Sequence, residues 1–102
     1  MKLSIITVCF NSQNTLQRTI NSVASQTYPD IEYIIIDGDS RDNTVRLIKE
    51  NQSLINCWVS EPDEGIYDAM NKGIQLATGE VIGLLNADDL YASTDVLSQV
   101  MD

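Results

Sequence analysis

The sequence predicts an α/β fold: an open, mostly parallel sheet of about four strands with helices on its flanks. Three observations predict it. Short β-branched runs alternate along the whole chain with stretches whose apolar residues recur at helical spacing. The strand runs are apolar at consecutive positions, as in strands buried on both faces. Each run then ends in acids or amides, which right-handed crossovers would gather on one rim.

The first run is "LSIITVCF", residues 3 to 10. Residues 15 to 26 follow as a helix with Leu16, Ile20, Val23 and Ala24 on one side, Asn14 as N-cap, and Tyr28-Pro29-Asp30 as the closing turn. "EYIIID", residues 32 to 37, is the second strand. After "GDSRDN", Thr44 to Glu50 reads as a short helix with Val45 and Ile48 inward. "INCWVS", residues 55 to 60, is the third strand, with Trp58 in the core. A helix over 66 to 77 presents Ile66, Met70, Ile74 and Ala77 as its apolar stripe, and Gly79 stops it. "EVIGLL" is the fourth strand, and "STDVLSQVM" is a last helix capped by Ser93 or Thr94.

The bulk properties narrow the function. The 102 residues suffice for one domain with one modest core, and 43% hydrophobic content fits a folded one. Fifteen acids against 6 bases give a formal charge of −9 and no basic cluster, which excludes nucleic acid as a partner. The two cysteines, Cys9 and Cys57, lie in apolar runs and are expected to be reduced and buried. No histidine is present, which removes the commonest zinc ligand and any histidine-based triad. No stretch is long and apolar enough to span a membrane, and a cytoplasmic location is expected.

The acids have a place in this plan. In open parallel sheets ligands bind beyond the carboxyl ends of the strands. Those ends carry Asn11, then Asp37, Asp39 and Asp42, then Glu61 and Asp63, then Asn86, Asp88 and Asp89. Such crowding is costly without a cation or a donor-rich ligand, so a binding rim is expected. Adjacent Asp88 and Asp89 suit a divalent ion bridging carboxylate and phosphate; first-turn acids of the last helix are the competing reading. Asp37 is placed to accept from a base N–H or ribose hydroxyl, and Asp42 to cap the next helix. Asn11 is placed to hold its loop or to meet a base, and Phe10 to line the same pocket or the core. Lys72 reads as solvated.

The series "SIITVCFN", "SVASQTYPDIEYIIIDGDSRDNT" and "SEPDEGIYDAMNKGIQLATGEVIGLLNADD" resembles the amino-terminal half of the family 2 glycosyltransferases, of the Rossmann-like GT-A fold. The likeness covers nearly the whole chain in order and spacing, and is nearest to bacterial enzymes building capsule, exopolysaccharide or lipopolysaccharide. It implies an inverting transferase that moves a sugar from a nucleotide-sugar, usually a UDP-sugar, to a saccharide or lipid-linked acceptor with Mn2+ or Mg2+.

By the same resemblance, the nucleotide-binding acid after the second strand falls at Asp37, with Asp39 next to Gly38 where many relatives have two adjacent aspartates. Asp63 matches a donor-contacting acid, with a cap on the following helix as the competing reading. The metal motif falls at "NADD", with Asn86 in the place of a frequent aspartate and Asp88 and Asp89 as the metal pair. Relatives are much longer, so the chain is expected to be the donor half of a truncated enzyme. Its general base would lie beyond residue 102, leaving the piece alone inactive and the parent protein at the inner membrane face. Self-association through the exposed edge of the fourth strand is expected. Two other classes compete: a phosphoacceptor-type response module, which would want a lysine late in the fold, and a sugar nucleotidyltransferase, which would want a glycine-rich basic loop after the first strand. Neither feature is present.

Overall fold

The computed structural model describes residues 1–102. Strand β1 (Leu3–Cys9) is followed by helix α1 (Leu16–Ala24), β2 (Ile31–Asp37), α2 (Thr44–Glu50), a 3-10 turn (Gln52–Leu54), β3 (Cys57–Ser60), α3 (Ile66–Leu76), β4 (Val81–Leu84) and α4 (Val96–Met101). The four strands are all parallel in the order β3-β2-β1-β4. The predicted fold class is therefore the observed one.

The consecutive apolar residues of β1 and β2 divide between two layers. Leu3, Ile5 and Cys9, with Tyr33 and Ile35, face Leu16, Ile20 and Val23 of α1, Ile48 of α2 and Leu97 of α4. Ile6, Ile34 and Ile36 face Ala69 of α3 on the other side. Each such side chain, fully buried, contributes roughly 1.5–3 kcal/mol. Two polar groups inside the first layer satisfy one another: Tyr33 Oη and Thr7 Oγ1 are 2.8 Å apart. Burial pushes the Tyr33 phenol up, so it remains a neutral hydrogen-bonding group.

Several local expectations change. Helix α1 begins at Leu16 behind Thr15, which makes no side-chain cap, and Asn14 is not the N-cap. The entry is held instead by Ser12, whose carbonyl accepts from Thr15 N and Leu16 N. Strand β3 starts at Cys57, later than expected and with two residues separating it from the 3-10 turn, and Cys57 and Trp58 are only half-buried. Gly79 does not stop α3, which already ends at Ala77 in extended backbone. Its role is close approach: a Cβ there would come 2.8 Å from Lys2 O.

The α3 stripe is also displaced. Ala77 packs on the sheet as expected, but the seat is made by Ala69 and Gly73, and Ile66 and Ile74 are 48% and 43% exposed. A Cβ on Gly73 would lie 2.5 Å from Ile6 Cγ2. The helix presses so near the sheet that only small residues fit beneath it, and the bulky row sits at its flank. Strand β4 pairs only with β1, and its Ile82 and Leu84, on the same face of the sheet, are 41% and 50% exposed.

Candidate functional site

Parallel pairing puts the ends of all four strands on one rim, and a cavity of about 690 Å3 opens there between β1, β4 and the start of α3. Phe10, Asn11, Asp63, Asn86 and Asp88 line it, together with Ser12, Asn14 and Thr15. Five of the residues singled out by sequence thus line one cavity. Asp37, Asp39 and Asp89 are not.

Asp37 lies beneath the cavity and is fully buried. Its carboxylate accepts from Ser40 N at 2.9 Å, from the Ser40 and Ser60 hydroxyls, and from Cys9 Sγ at 3.4 Å. A buried carboxylate needs such donors, and here they come from β1, β3 and its own loop. Its oxygens are turned to the protein, contrary to the expectation of a surface acceptor. Burial, and then the Asp37 carboxylate beside it, push the Cys9 thiol up, so the sulfur stays a protonated donor.

The same loop is sewn to the end of β1. Asn11, at φ 48°, donates its N–H to Ser40 Oγ at 2.8 Å, and its Oδ1 accepts from Arg41 N at 2.9 Å. Of the two readings of Asn11, the loop-holding one is what the structure shows. Asp42 accepts from Thr44 N at 2.9 Å and from Gln13 N at 3.3 Å, fastening α2 to the α1 entry. Asp39 is exposed at φ 66° on the outer side of this loop.

Asp63 sits across the cavity on the β3–α3 loop and accepts from Gly65 N at 3.1 Å. Gly65 itself, at φ 117°, needs the freedom only glycine has. Lys72 is paired rather than free, though partly exposed: its ammonium reaches Glu61 at 3.1 Å, Pro62 O at 3.1 Å and Asp68 at 3.5 Å, pinning the same loop to α3. Burial pulls Lys72 down, but Glu61 and Asp68 outweigh it and leave it raised.

Beyond β4 the chain alternates: Leu85 and Ala87 are buried, Asn86 and Asp88 are exposed on the cavity wall. Asp89 falls in the turn that follows, its N–H bonded to Asn86 O at 3.0 Å. The structure therefore pairs Asp88 with Asn86 at the cavity rather than with Asp89. No group of three or more histidine, cysteine or acidic side chains is placed to hold a metal unaided. One carboxylate and one amide oxygen fit a Mg2+- or Mn2+-type ion that takes its other ligands from water and phosphate.

Sequence reasoning missed Thr19, whose hydroxyl carries the 87–89 backbone, and the serines under Asp37. For Thr19 a signal existed: it is a polar residue flanked by Leu16, Ile20 and Val23 on an apolar stripe.

The sequence matches "Glycosyl transferase family 2" over residues 4–102. The chain belongs to this family. An uncharacterised glycosyltransferase of Mycobacterium tuberculosis is 42% identical over 101 residues, which are 98% of this chain and 38% of the relative. An Escherichia coli UDP-Glc:alpha-D-GlcNAc-diphosphoundecaprenol beta-1,3-glucosyltransferase is 35% identical, over 96% of this chain and 39% of the relative. The chain thus spans about two fifths of the length of these curated relatives. Among solved structures, S. aureus TarS 1-349 in complex with UDP superposes with a TM-score of 0.86 at 25% identity, covering 99% of this chain and 31% of that one. The mannosyltransferase PcManGT from Pyrobaculum calidifontis, in complex with GDP-Man and Mn2+, gives 0.88 at 25% identity, covering 98% and 31%. This glycosyltransferase-family domain carries its cavity at the strand rim of a GT-A-like sheet.

Proposed function

We propose that this chain is the donor-binding part of an inverting glycosyltransferase that moves a sugar from a UDP-sugar to an acceptor hydroxyl in bacterial surface polysaccharide synthesis. The observation that carries the reading is the rim cavity that joins an exposed aromatic, Phe10, to the polar wall of Asn86 and Asp88. Phe10, 59% exposed, offers a face on which a base stacks. Asp63 accepts from a base N–H or ribose hydroxyl, with Asn11 beside it. Asp37 and Asp39 belong to the loop that holds this end in shape. Asp37 serves the nucleotide through Ser40 and Asn11 rather than by direct contact.

The diphosphate would meet Asn86 and Asp88. A domain of charge −9 with Lys72 already spent on Glu61 and Asp68 has little to attract a diphosphate. Mn2+ or Mg2+ held by Asp88 and Asn86 supplies that charge when bound, offsetting negative charge on the departing diphosphate. The complex of PcManGT with GDP-Man and Mn2+ supports a metal-assisted reading here. TarS with UDP, and the E. coli relative named for UDP-Glc and a diphosphoundecaprenol-linked sugar, favour a UDP-sugar and a saccharide or lipid-linked acceptor. We assign the base that would activate the acceptor hydroxyl to a position outside these 102 residues, since this reading gives both cavity acids, Asp63 and Asp88, to the donor.

The test is calorimetric titration of the 102-residue chain with UDP, GDP and TDP, each with and without MnCl2. Micromolar to millimolar binding of UDP, strengthened by Mn2+, is expected; no binding of any of the three would overturn the reading. A second contact is proposed with another copy of this chain, along the open β4 edge and the exposed Ile82 and Leu84.

A further inference from the structure

We infer that Gly38 is a positioning residue for the Asp63 carboxylate: its missing side chain is the room in which that carboxylate sits. The inference rests on the nucleotide-binding reading above, and goes beyond it by coupling two loops. A Cβ built on Gly38 would lie 2.8 Å from Asp63 Oδ2, 3.3 Å from its Cγ and 3.5 Å from Oδ1. The whole carboxyl group therefore covers the bare Cα of residue 38.

Backbone freedom is not the reason for this glycine. Gly65 alone among the glycines has a positive φ, so residue 38 has a conformation open to any amino acid. Its N–H is also committed to the sheet, donating to Cys9 O at 3.0 Å. What the position requires is space. Under it Asp37 is buried and its oxygens are consumed by Ser40, Ser60 and Cys9. The end of β2 thus presents no acceptor of its own to the cavity at this point.

Asp63 supplies one from the opposite loop. Its Oδ1 is held by Gly65 N at 3.1 Å, while Oδ2 over Gly38 receives no hydrogen bond from the protein. A carboxylate fixed at one oxygen and open at the other, on a cavity wall, is an acceptor for an N–H or hydroxyl of the ligand. Gly38 sets its depth. Any side chain at 38 would push the carboxylate outward and compete for the same space. An acid at 38, conversely, would reach this place itself once Asp63 is shortened.

The two positions are therefore interchangeable in a way a merely structural glycine is not. Four proteins test this: wild type, Gly38→Asp, Asp63→Ala and the double variant, each titrated with UDP and melted without ligand. Gly38→Asp should melt lower than wild type through crowding and like charge, and Asp63→Ala should melt near it. Each single variant should bind UDP at least about tenfold more weakly. The double variant should recover the melting temperature of Asp63→Ala and bring UDP affinity back to within about threefold of wild type. Wild-type affinity in Asp63→Ala, or a double variant that binds no better than Asp63→Ala, would overturn the inference while leaving the nucleotide reading intact. Failure of wild type to bind UDP would overturn both, and the ligand-free melts would still report whether the two side chains compete.

Discussion

The Thr19 hydroxyl of α1 lies 2.8 Å from Ala87 O and 2.9 Å from Asp89 O, sharing its hydrogen between the two carbonyls on either side of Asp88. Thr19 is fully buried, so water cannot replace it. The bond links the first helix to the loop that carries the metal-binding carboxylate of the proposed site. Thr19→Val keeps the shape and removes the donor. It should cost about 1–3 kcal/mol, the range for stranding buried acceptors. Urea denaturation measures this, and Thr19→Ser, which keeps the hydroxyl, should lose clearly less.

The metal assignment gives unequal predictions for the two neighbouring acids. Asp88 lines the cavity beside Asn86, whereas Asp89 stands outside its wall. Asp88→Asn should weaken Mn2+-dependent UDP binding by at least about tenfold, or 1.4 kcal/mol. Asp89→Asn should change it by less than about threefold. Calorimetry with and without MnCl2 on both variants checks this, and equal losses would show that the adjacent pair acts together.

Acid stability should depend on two carboxylates that do not line the cavity, Glu32 and Asp42. Glu32 accepts from Thr78 N at 2.8 Å, with the Ser4 and Thr78 hydroxyls also bound, and these bonds hold it below its ordinary value. For Asp42 burial pulls upward, but the bonds from Thr44 and Gln13 outweigh it and leave it lowered. A folded-state value below the unfolded one means stability that is present above the unfolded value, about 4 for these groups. It is lost as pH falls through the folded value. Melting temperature should therefore be flat from neutral to about pH 5 and fall below that. Glu32→Gln and Asp42→Asn should each start lower and fall less steeply.

Much of this was legible in the chain, and the failures share a cause. Alternating strand and helix runs indicated the fold class, and acids at strand ends indicated the rim on which the cavity opens, because both follow from burial and from the direction of parallel strands. What a sequence does not carry is which side chains point down. Asp37 and Asp88 both follow apolar strand residues, yet one is buried under three donor side chains and the other is exposed. That difference is set by Ser40, Ser60 and Cys9, from three separate segments. The α3 stripe failed in the same way: Ala69 and Gly73 are unremarkable letters until Ile6 is found beneath them.

The buried position of Asp37 leads to its own prediction. Asp37→Ala would leave Ser40 N, two hydroxyls and a thiol without their acceptor at the junction of β1, β2 and β3. Hydrogen bonds to a charged group contribute about 1.5–3 kcal/mol each to such comparisons, so a loss of at least about 3 kcal/mol is expected. Asp37→Asn, which still accepts, should lose less. Chemical denaturation of both variants decides between this role and a surface contact, which would reduce UDP affinity without touching stability.

The last prediction concerns assembly. Strand β4 has β1 on one side and no strand on the other, so its outer backbone groups are free to pair. Ile82 and Leu84 of this edge strand are both more than 40% exposed. Pairing of two copies would satisfy the backbone and cover this apolar strip together. Opposing it is the −9 charge, which repels copies at low salt and is screened at high salt. Light scattering from micromolar to near-millimolar concentration should give a mass above 11.3 kDa that rises with protein and with salt. Ile82→Lys combined with Leu84→Lys adds charge to the edge without entering the core, and should hold the mass at that of one chain. A wild-type mass of 11.3 kDa throughout, at high salt as well as low, would show that β4 does not recruit a second copy.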